Sequence, residues 1–348
     1  MMEKLQAFIE NAGWPRIIIG LFLLSLFVAA PFVGVRLDAS LSDTLVRVGM
    51  NGILVLAMVP MVQSGCGLNF GLPLGIIAGL LGAVTSIQIG IPGSIGFIIA
   101  MGIAVPIAIV LGWLYGQLLN RVKGDEMMIA TYVGFSSVAV MCIAWLLLPY
   151  TSPTMIWGYG GSGLRTTISV EGFWLNALSK HLNMQIGEFF YIPVGMYLFF
   201  ALMVFLVWAF FRTKVGTAVT AVGSNPEFAR ASGIDVDKMR TVSVILSTVL
   251  GAIGILVYEQ SFGFIQLYMG PFYMAFPAVA AILLGGASVN KASMVNVVVG
   301  AFLFQGILTM TPSVINSVMQ TDMSEVIRII VSNGMILYAL TRKVMVKR

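Results

Sequence analysis

Runs of about 20 mainly apolar residues recur along the whole chain, and a run of that kind is long enough to cross the hydrocarbon core of a bilayer as a helix. Ten candidates can be marked, approximately at 16–35, 43–63, 70–89, 94–119, 127–148, 190–211, 241–260, 271–287, 293–311 and 323–341. The expected fold is therefore an all-α integral membrane protein, a single polytopic domain over residues 1–348. Residues 1–15 are mixed and polar with no cleavable signal pattern, so the first run is expected to stay as a span. Hydrophobic residues are 59% of the chain and charged residues 9%, against about half and about a quarter in a soluble domain. The net charge of +5 would point to nucleic acid only if the basic residues formed a patch, and they lie instead in the connections between apolar runs.

Those connections set an orientation. With the N-terminus in the cytoplasm, fourteen of the nineteen Lys and Arg residues fall inside. Arg36, Arg47, Arg165 and Lys180 fall outside, and Arg328 falls within the last run. This bias predicts both termini on the cytoplasmic side. The longest outside connection, 149–189, carries Trp157, Tyr159, Gly160, Gly161, Gly163, Trp174 and His181. Such a loop suits either docking of an external protein or an interfacial aromatic belt, the preferred reading for Trp157 and Trp174. His181, the one histidine, reads as a solvated loop residue. Cys66 and Cys142 offer no disulfide framework or metal spacing and read as small buried hydrophobes.

Two segments are interrupted. Gly65, Gly67, Gly71, Pro73 and Gly75 crowd the start of the third run, and Gly270, Pro271 and Pro277 crowd the eighth. Each leads into a small-residue helix expected to end at Gly79 and Gly82 or at Gly285 and Gly286. The predicted orientation makes the third run outward and the eighth inward. This is a weak inverted repeat, about 43–148 and about 241–341, joined through 149–189 and a cytoplasmic connection, 212–240. Broken helices are tolerated in a membrane where protein buries them or where they line a cavity, so a translocation path is expected beside Gln63, Ser64, Asn69, Phe70 and Met274. Close packing of helices through small residues explains the glycines equally well. Glu259 is also a path candidate, expected to be solvated near the outer end of the seventh run. Arg328 is expected to pair with Glu325 at helical spacing.

The most polar, best punctuated stretch is AVGSNPEFARASGIDVDKMR, Ala221–Arg240. Asn225 suits a helix N-cap and Pro226 the first helical position. Glu227 sets a carboxylate against the positive end of the helix, and Gly233 suits its C-terminal cap. A two-turn helix of this kind is unstable alone in water and must be held by packing. Phe228 is its large apolar side chain, flanked by Ala229 and, beyond Arg230, Ala231.

GTAVTAVGSNPEFARASGIDV, Gly216–Val236, resembles the cytoplasmic coupling loop of bacterial ABC importer permeases of the ribose and branched-chain amino acid type. AVAAILLGGASV, Ala278–Val289, resembles the glycine-rich signature of that family, and QSGCGLNFGLPLGIIAGLLGAV, Gln63–Val84, sits where its first-half counterpart belongs. The resemblance covers roughly residues 45–340 and implies a type II ABC importer-like fold of about ten helices, with two subunits around one path. It also implies a second permease subunit, identical or related, a cytoplasmic ABC ATPase and an external solute-binding protein as partners, in a bacterial inner membrane. Asn225, Pro226, Glu227, Phe228, Ala229, Arg230 and Gly233 would then meet the ATPase. Sugar permeases of the family often carry an acidic residue at the position of Gly67. Its absence weakens a ribose assignment, while a sugar stays ahead of a nucleoside or a branched-chain amino acid.

The sequence has no glycine-rich phosphate loop ending in Gly-Lys-Ser or Gly-Lys-Thr, so ATP and Mg belong to the partner ATPase and the chain itself is expected to need no cofactor. It has no His-Glu-x-x-His motif and no nucleophile with a matching base, which argues against an enzyme. An ion-coupled secondary transporter is the other reading. It would need acidic residues at mid-membrane, which the apolar runs hardly supply.

Overall fold

The computed structural model of the protein describes residues 14–158, 163–179, 182–186 and 188–319, with 323, 326–334 and 337 beyond them. Its helices are α1 (Trp14–Ala29), α2 (Leu37–Leu56), α3 (Met58–Gln63), α4 (Leu72–Ile89), α5 (Gly93–Arg121), α6 (Glu126–Leu147), α7 (Val194–Arg212), α8 (Lys214–Ser224), α9 (Pro226–Ala231), α10 (Val236–Phe262), α11 (Gly270–Leu284) and α12 (Met294–Met319). Short strands β1 (Thr167–Ser169) and β4 (Phe264–Gln266) pair antiparallel with Ile168 opposite Ile265, and β2 (Met184–Ile186) pairs with β3 (Phe190–Ile192).

Eight stretches among the described residues are long and apolar enough to cross a membrane, and they match the first seven predicted runs and the ninth. One of them joins α2 and α3 end to end. It bends there because Pro60 cannot donate the amide that would close the turn onto Leu56. The eighth predicted run is α11, 15 residues long, which at 1.5 Å per residue reaches only about 22 Å. Its outer continuation is not helical. Gly263, at φ +87°, closes α10, and the chain passes through β4 before Gly270 and Pro271 open α11. The tenth run is described in part, at 323, 326–334 and 337, and 326–334 are helical.

The centre of the molecule is α10, seated among α2, α4 and α5. Glycines let the backbones approach. A Cβ on Gly75 would sit 2.5 Å from the Thr248 carbonyl oxygen, and one on Gly79 would sit 2.2 Å from Cγ2 of Ile255. Close contact of this kind supplies the dispersion attraction that holds helices together in lipid. Gly79 and Gly82 are therefore seam residues inside α4, which runs on to Ile89, and not its end. Away from this seam, Ile109, Val110, Trp113 and Leu114 on α5 and Leu202, Phe205, Leu206 and Trp208 on α7 are exposed, which fits faces turned to lipid tails.

The start of α4 and the end of α11 lie at one end of the molecule, since Val289 approaches Gly67 and Arg16 donates to the Gly286 carbonyl at 3.0 Å. The two interrupted helices therefore run in opposite directions. At the far end, residues 163–179 fold down over α5, α10 and the end of α6. Trp174 is buried against Phe97, ring centres 6.0 Å apart, and the Gln260 carbonyl accepts from the Asn176 amide at 2.7 Å. Trp174 is thus a core residue and not part of an aromatic belt, whereas Trp157 is exposed. Tyr159, Gly160, Gly161 and His181 lie outside the described residues.

Candidate functional site

The polar stretch folds as its local chemistry dictates. The Asn225 side chain accepts from the Phe228 amide at 2.9 Å, Pro226 opens α9, and Glu227 lies in its first turn. At the other end the Gly233 amide donates to the Arg230 carbonyl and the Ile234 amide to the Ala229 carbonyl, both at 3.0 Å. With Gly233 at φ +79°, this is a Schellman cap, a conformation that costs a side chain about 1–2 kcal/mol and glycine nothing. Asp235 then caps α10 by accepting from the Lys238 amide at 3.0 Å.

Packing divides the faces of this short helix. Ala229 is fully buried with Val222 of α8 and Val236 of α10, with Ile234 and Met239 against them. Phe228, the neighbouring residue, is 68% exposed, and Glu227, Arg230 and Ala231 are exposed too. The helix is thus clamped on one face and holds a large aromatic ring outward on the other.

Behind α9, helix α8 lies directly on the break between α3 and α4. A Cβ at Gly223 would sit 2.0 Å from the Gln63 carbonyl oxygen, and one at Gly65 would sit 3.2 Å from the Gly223 Cα. Gly65 and Gly67 both take left-handed backbone, φ +77° and +79°. An acidic side chain in place of Gly67 would be strained there and would press on Met127, whose Cγ and Sδ lie 3.1 Å from a built Cβ.

Four of the path candidates, Gln63, Ser64, Asn69 and Phe70, lie at the same break. Gln63 donates to the Ala292 carbonyl, and Ser64 is buried and donates to the Met61 carbonyl at 3.0 Å. Asn69 is fully buried, donating to Ser247 at 2.8 Å and accepting from Tyr115 at 3.3 Å. Ser247 in turn donates to the Ala57 carbonyl at 2.5 Å, at the α2–α3 bend. Phe70 is half-buried and meets Phe276 of α11, ring centres 6.1 Å apart, and Phe276 also meets Phe135 of α6. Met274 is buried on α11.

Glu259 departs from expectation. It is fully buried, not solvated, and neither carboxylate oxygen has a hydrogen-bond partner among the described residues. It lies one turn beyond Ile255, which packs on Gly79, so it shares the face of α10 turned to α4. The segment around Asn176 covers the end of the same helix. Glu325, the expected partner of Arg328, lies outside the described residues.

The sequence reading missed one cluster. Arg240, counted there among loop charges, is buried within α10. It pairs with Glu126 at the start of α6, and its Nε donates to the Cys66 sulfur at 3.2 Å. Glu126 and Arg240 are 114 residues apart, so no spacing rule joins them. The available signal was a single charge at the mouth of each of two spans.

A sequence model of the family described as "Branched-chain amino acid transport system / permease component" matches residues 40–339. The chain is 26% identical over 225 residues to the "Autoinducer 2 import system permease protein LsrC" of Escherichia coli O9:H4 (strain HS), a match covering 64% of this chain and 59% of the relative. A similar match, 27% over 226 residues with the same coverage, is found with the protein of that name from Shigella flexneri. The "Nucleoside ABC transporter permease protein NupC" of Lactococcus lactis subsp. cremoris (strain MG1363) is 35% identical over 92 residues, 26% of this chain and 29% of that one. This chain thus matches about three fifths of the length of the LsrC relatives. No solved structure matches. With the family pattern spanning 40–339 and the apolar helices described above, the chain belongs to the family of permease components of branched-chain amino acid type transport systems.

Proposed function

We propose that the chain is the transmembrane subunit of an ATP-driven importer that moves a small polar solute into the cytoplasm, a sugar in first place. The observation that carries this reading is the backbone contact between Gly223 and the Gln63–Gly65 break. It joins a helix with an exposed aromatic plug to the interrupted segment beside which a path would open. Movement of α9 by a cytoplasmic ATPase would pass through α8 to the break, and alternating access would follow from rocking of the two halves. The ends carrying Arg16, Lys123, Arg230 and Lys291 would face the cytoplasm, with both termini inside. A second copy or related permease, the ATPase with its ATP and Mg, and an external solute-binding protein would complete the system.

Nucleoside transport is the second reading, favoured by the likeness to the nucleoside permease over 92 residues. Branched-chain amino acids come third, on the family description alone. The test is uptake into proteoliposomes holding this chain with its co-expressed ATPase and binding protein, offered a radiolabelled pentose, hexose, nucleoside and leucine in turn. ATP-dependent uptake of one class, insensitive to ionophores, is the expected result. Uptake without ATP that collapses with ionophores would establish an ion-coupled carrier instead.

A further inference from the structure

We propose that Arg240, Glu126 and the Gly65–Gly67 turn form a latch that ties the coupling helix to the broken span, with Arg240 and Glu126 as its positioning residues. This rests on the proposed coupling role of α9. Arg240 is fixed to α9 through a short, stiff path: the Schellman turn at Gly233, the Asp235 cap and the first turns of α10. Its guanidinium meets two other elements at once, Glu126 at the start of α6 and Cys66 in the turn between α3 and α4.

Three observations separate a latch from ordinary packing. Among the described residues, the buried charged residues are Arg240 and Glu259, so Arg240 stands apart from the solvated loop charges around it. The end of α5 and the turn after it are otherwise held to α10 by an exposed ion pair, Lys123 to Asp237 at 2.5 Å, and by Asn120, which donates to the Asp237 carbonyl and to Thr241, both at 2.9 Å. An exposed ion pair contributes little, and these contacts join two elements, whereas Arg240 joins α10 both to α6 and to the turn between α3 and α4. The backbone beside it is made to turn, because Gly65 and Gly67 are both left-handed and glycine crosses between such conformations without steric cost.

A buried ion pair adds little net stability but is costly to leave half-formed, which favours two discrete arrangements over a continuum. Displacement of α9 that carries Arg240 away from Glu126 would release the turn and uncover Cys66. In the structure Cys66 is 2% exposed. A pocket of about 420 Å³ adjoins it, lined by Gly67, Glu126, Met127, Met128 and Val289 among others, so a small reagent can reach the thiol once the guanidinium leaves.

Cys66 is therefore the built-in reporter. With Cys142 replaced by Ser, Cys66 is the one thiol of the 348-residue chain. Its labelling by a small charged maleimide is measured with the permease assembled with its ATPase, free of nucleotide and trapped with ATP and vanadate. The expected result is a rate differing at least tenfold between the two states. Glu126→Gln should abolish the difference by making both states label at the faster rate, and uptake per ATP hydrolysed should fall at least fivefold. If that variant fails to assemble, Glu126→Gln with Arg240→Met removes both charges and leaves none buried and unpaired, and the same fast labelling is expected. Slow labelling in both states of the assembled variant overturns the proposal whatever the role of α9. Fast labelling in the variant with no nucleotide dependence in the parent also overturns it, and places the failure in the coupling through α9.

Discussion

Gly223→Ala sets two effects against each other, and the structure decides which wins. In a helix, alanine in place of glycine gains about 1 kcal/mol from backbone propensity. At this position, however, the new Cβ falls 2.0 Å from the Gln63 carbonyl oxygen, 2.9 Å from the Gln63 carbonyl carbon and 3.0 Å from the Gly65 amide nitrogen. These are backbone atoms and cannot rotate away, so α8 and the break must part by about 1 Å to restore ordinary contact. Overpacking of this kind costs about 1–3 kcal/mol. The expected net effect is a loss of up to about 2 kcal/mol, or up to roughly thirtyfold in the equilibrium that keeps the seam closed. Gly102→Ala is the control, since nothing lies within 4 Å of a Cβ there and propensity acts alone. The assay pairs thermal melting of the detergent-extracted permease with uptake per ATP hydrolysed in proteoliposomes. Gly223→Ala should melt lower than the parent and lose at least fivefold in uptake while retaining the ATPase, because Phe228 remains outside the seam. Gly102→Ala should melt at or above the parent and transport normally. Parent-like melting and uptake in Gly223→Ala would refute the backbone seam as the route of coupling.

Asn225→Ala removes the oxygen that holds the Phe228 amide and should destabilise α9 by about 1 kcal/mol, seen as faster amide exchange over residues 227–231 with little change in the spans. Trp174→Ala empties a fully packed site against Phe97 and should cost about 3–5 kcal/mol, read as a lower melting temperature; an unchanged melt would place Trp174 at the lipid surface after all. Reporter fusions after Arg240 should read as cytoplasmic and those near Ser169 as external, and the opposite pattern would reverse the orientation. A cysteine at Leu206, on a lipid-facing side of α7, should resist water-soluble thiol reagents. One at Phe70 should react in at least one nucleotide state if the broken spans line a path, and protection in every state would leave them as packing alone.

What could be read from the residues was the chemistry that acts locally. The cap, the first-turn proline and the Schellman glycine of α9 involve neighbours within a few positions, and all appear where the sequence places them. Apolar runs are equally local, and eight of the ten appear among the described residues as helical stretches long and apolar enough to cross a membrane. The misses are nonlocal. Glu259 and Trp174 read as solvated and interfacial because the sequence does not show that residues 163–179 fold back over α5 and α10. Arg240 counted as a loop charge, although its partners stand 114 and 174 positions away.

The most direct measurement is a crosslink from the exposed side of α9. With Cys66 and Cys142 replaced by Ser, a cysteine in place of Phe228, which is 68% exposed, is treated with a short bifunctional thiol reagent in membranes that hold the whole transporter. It should join the permease to its ATPase, with a yield that changes on ATP binding. Phe228→Asp should leave the permease folded in the membrane, yet reduce recovery of the ATPase more than tenfold, as loss of an anchor worth ~2 kcal/mol or more requires. A cysteine that joins only to its own chain, together with a Phe228→Asp variant that transports normally, would contradict the coupling role of α9.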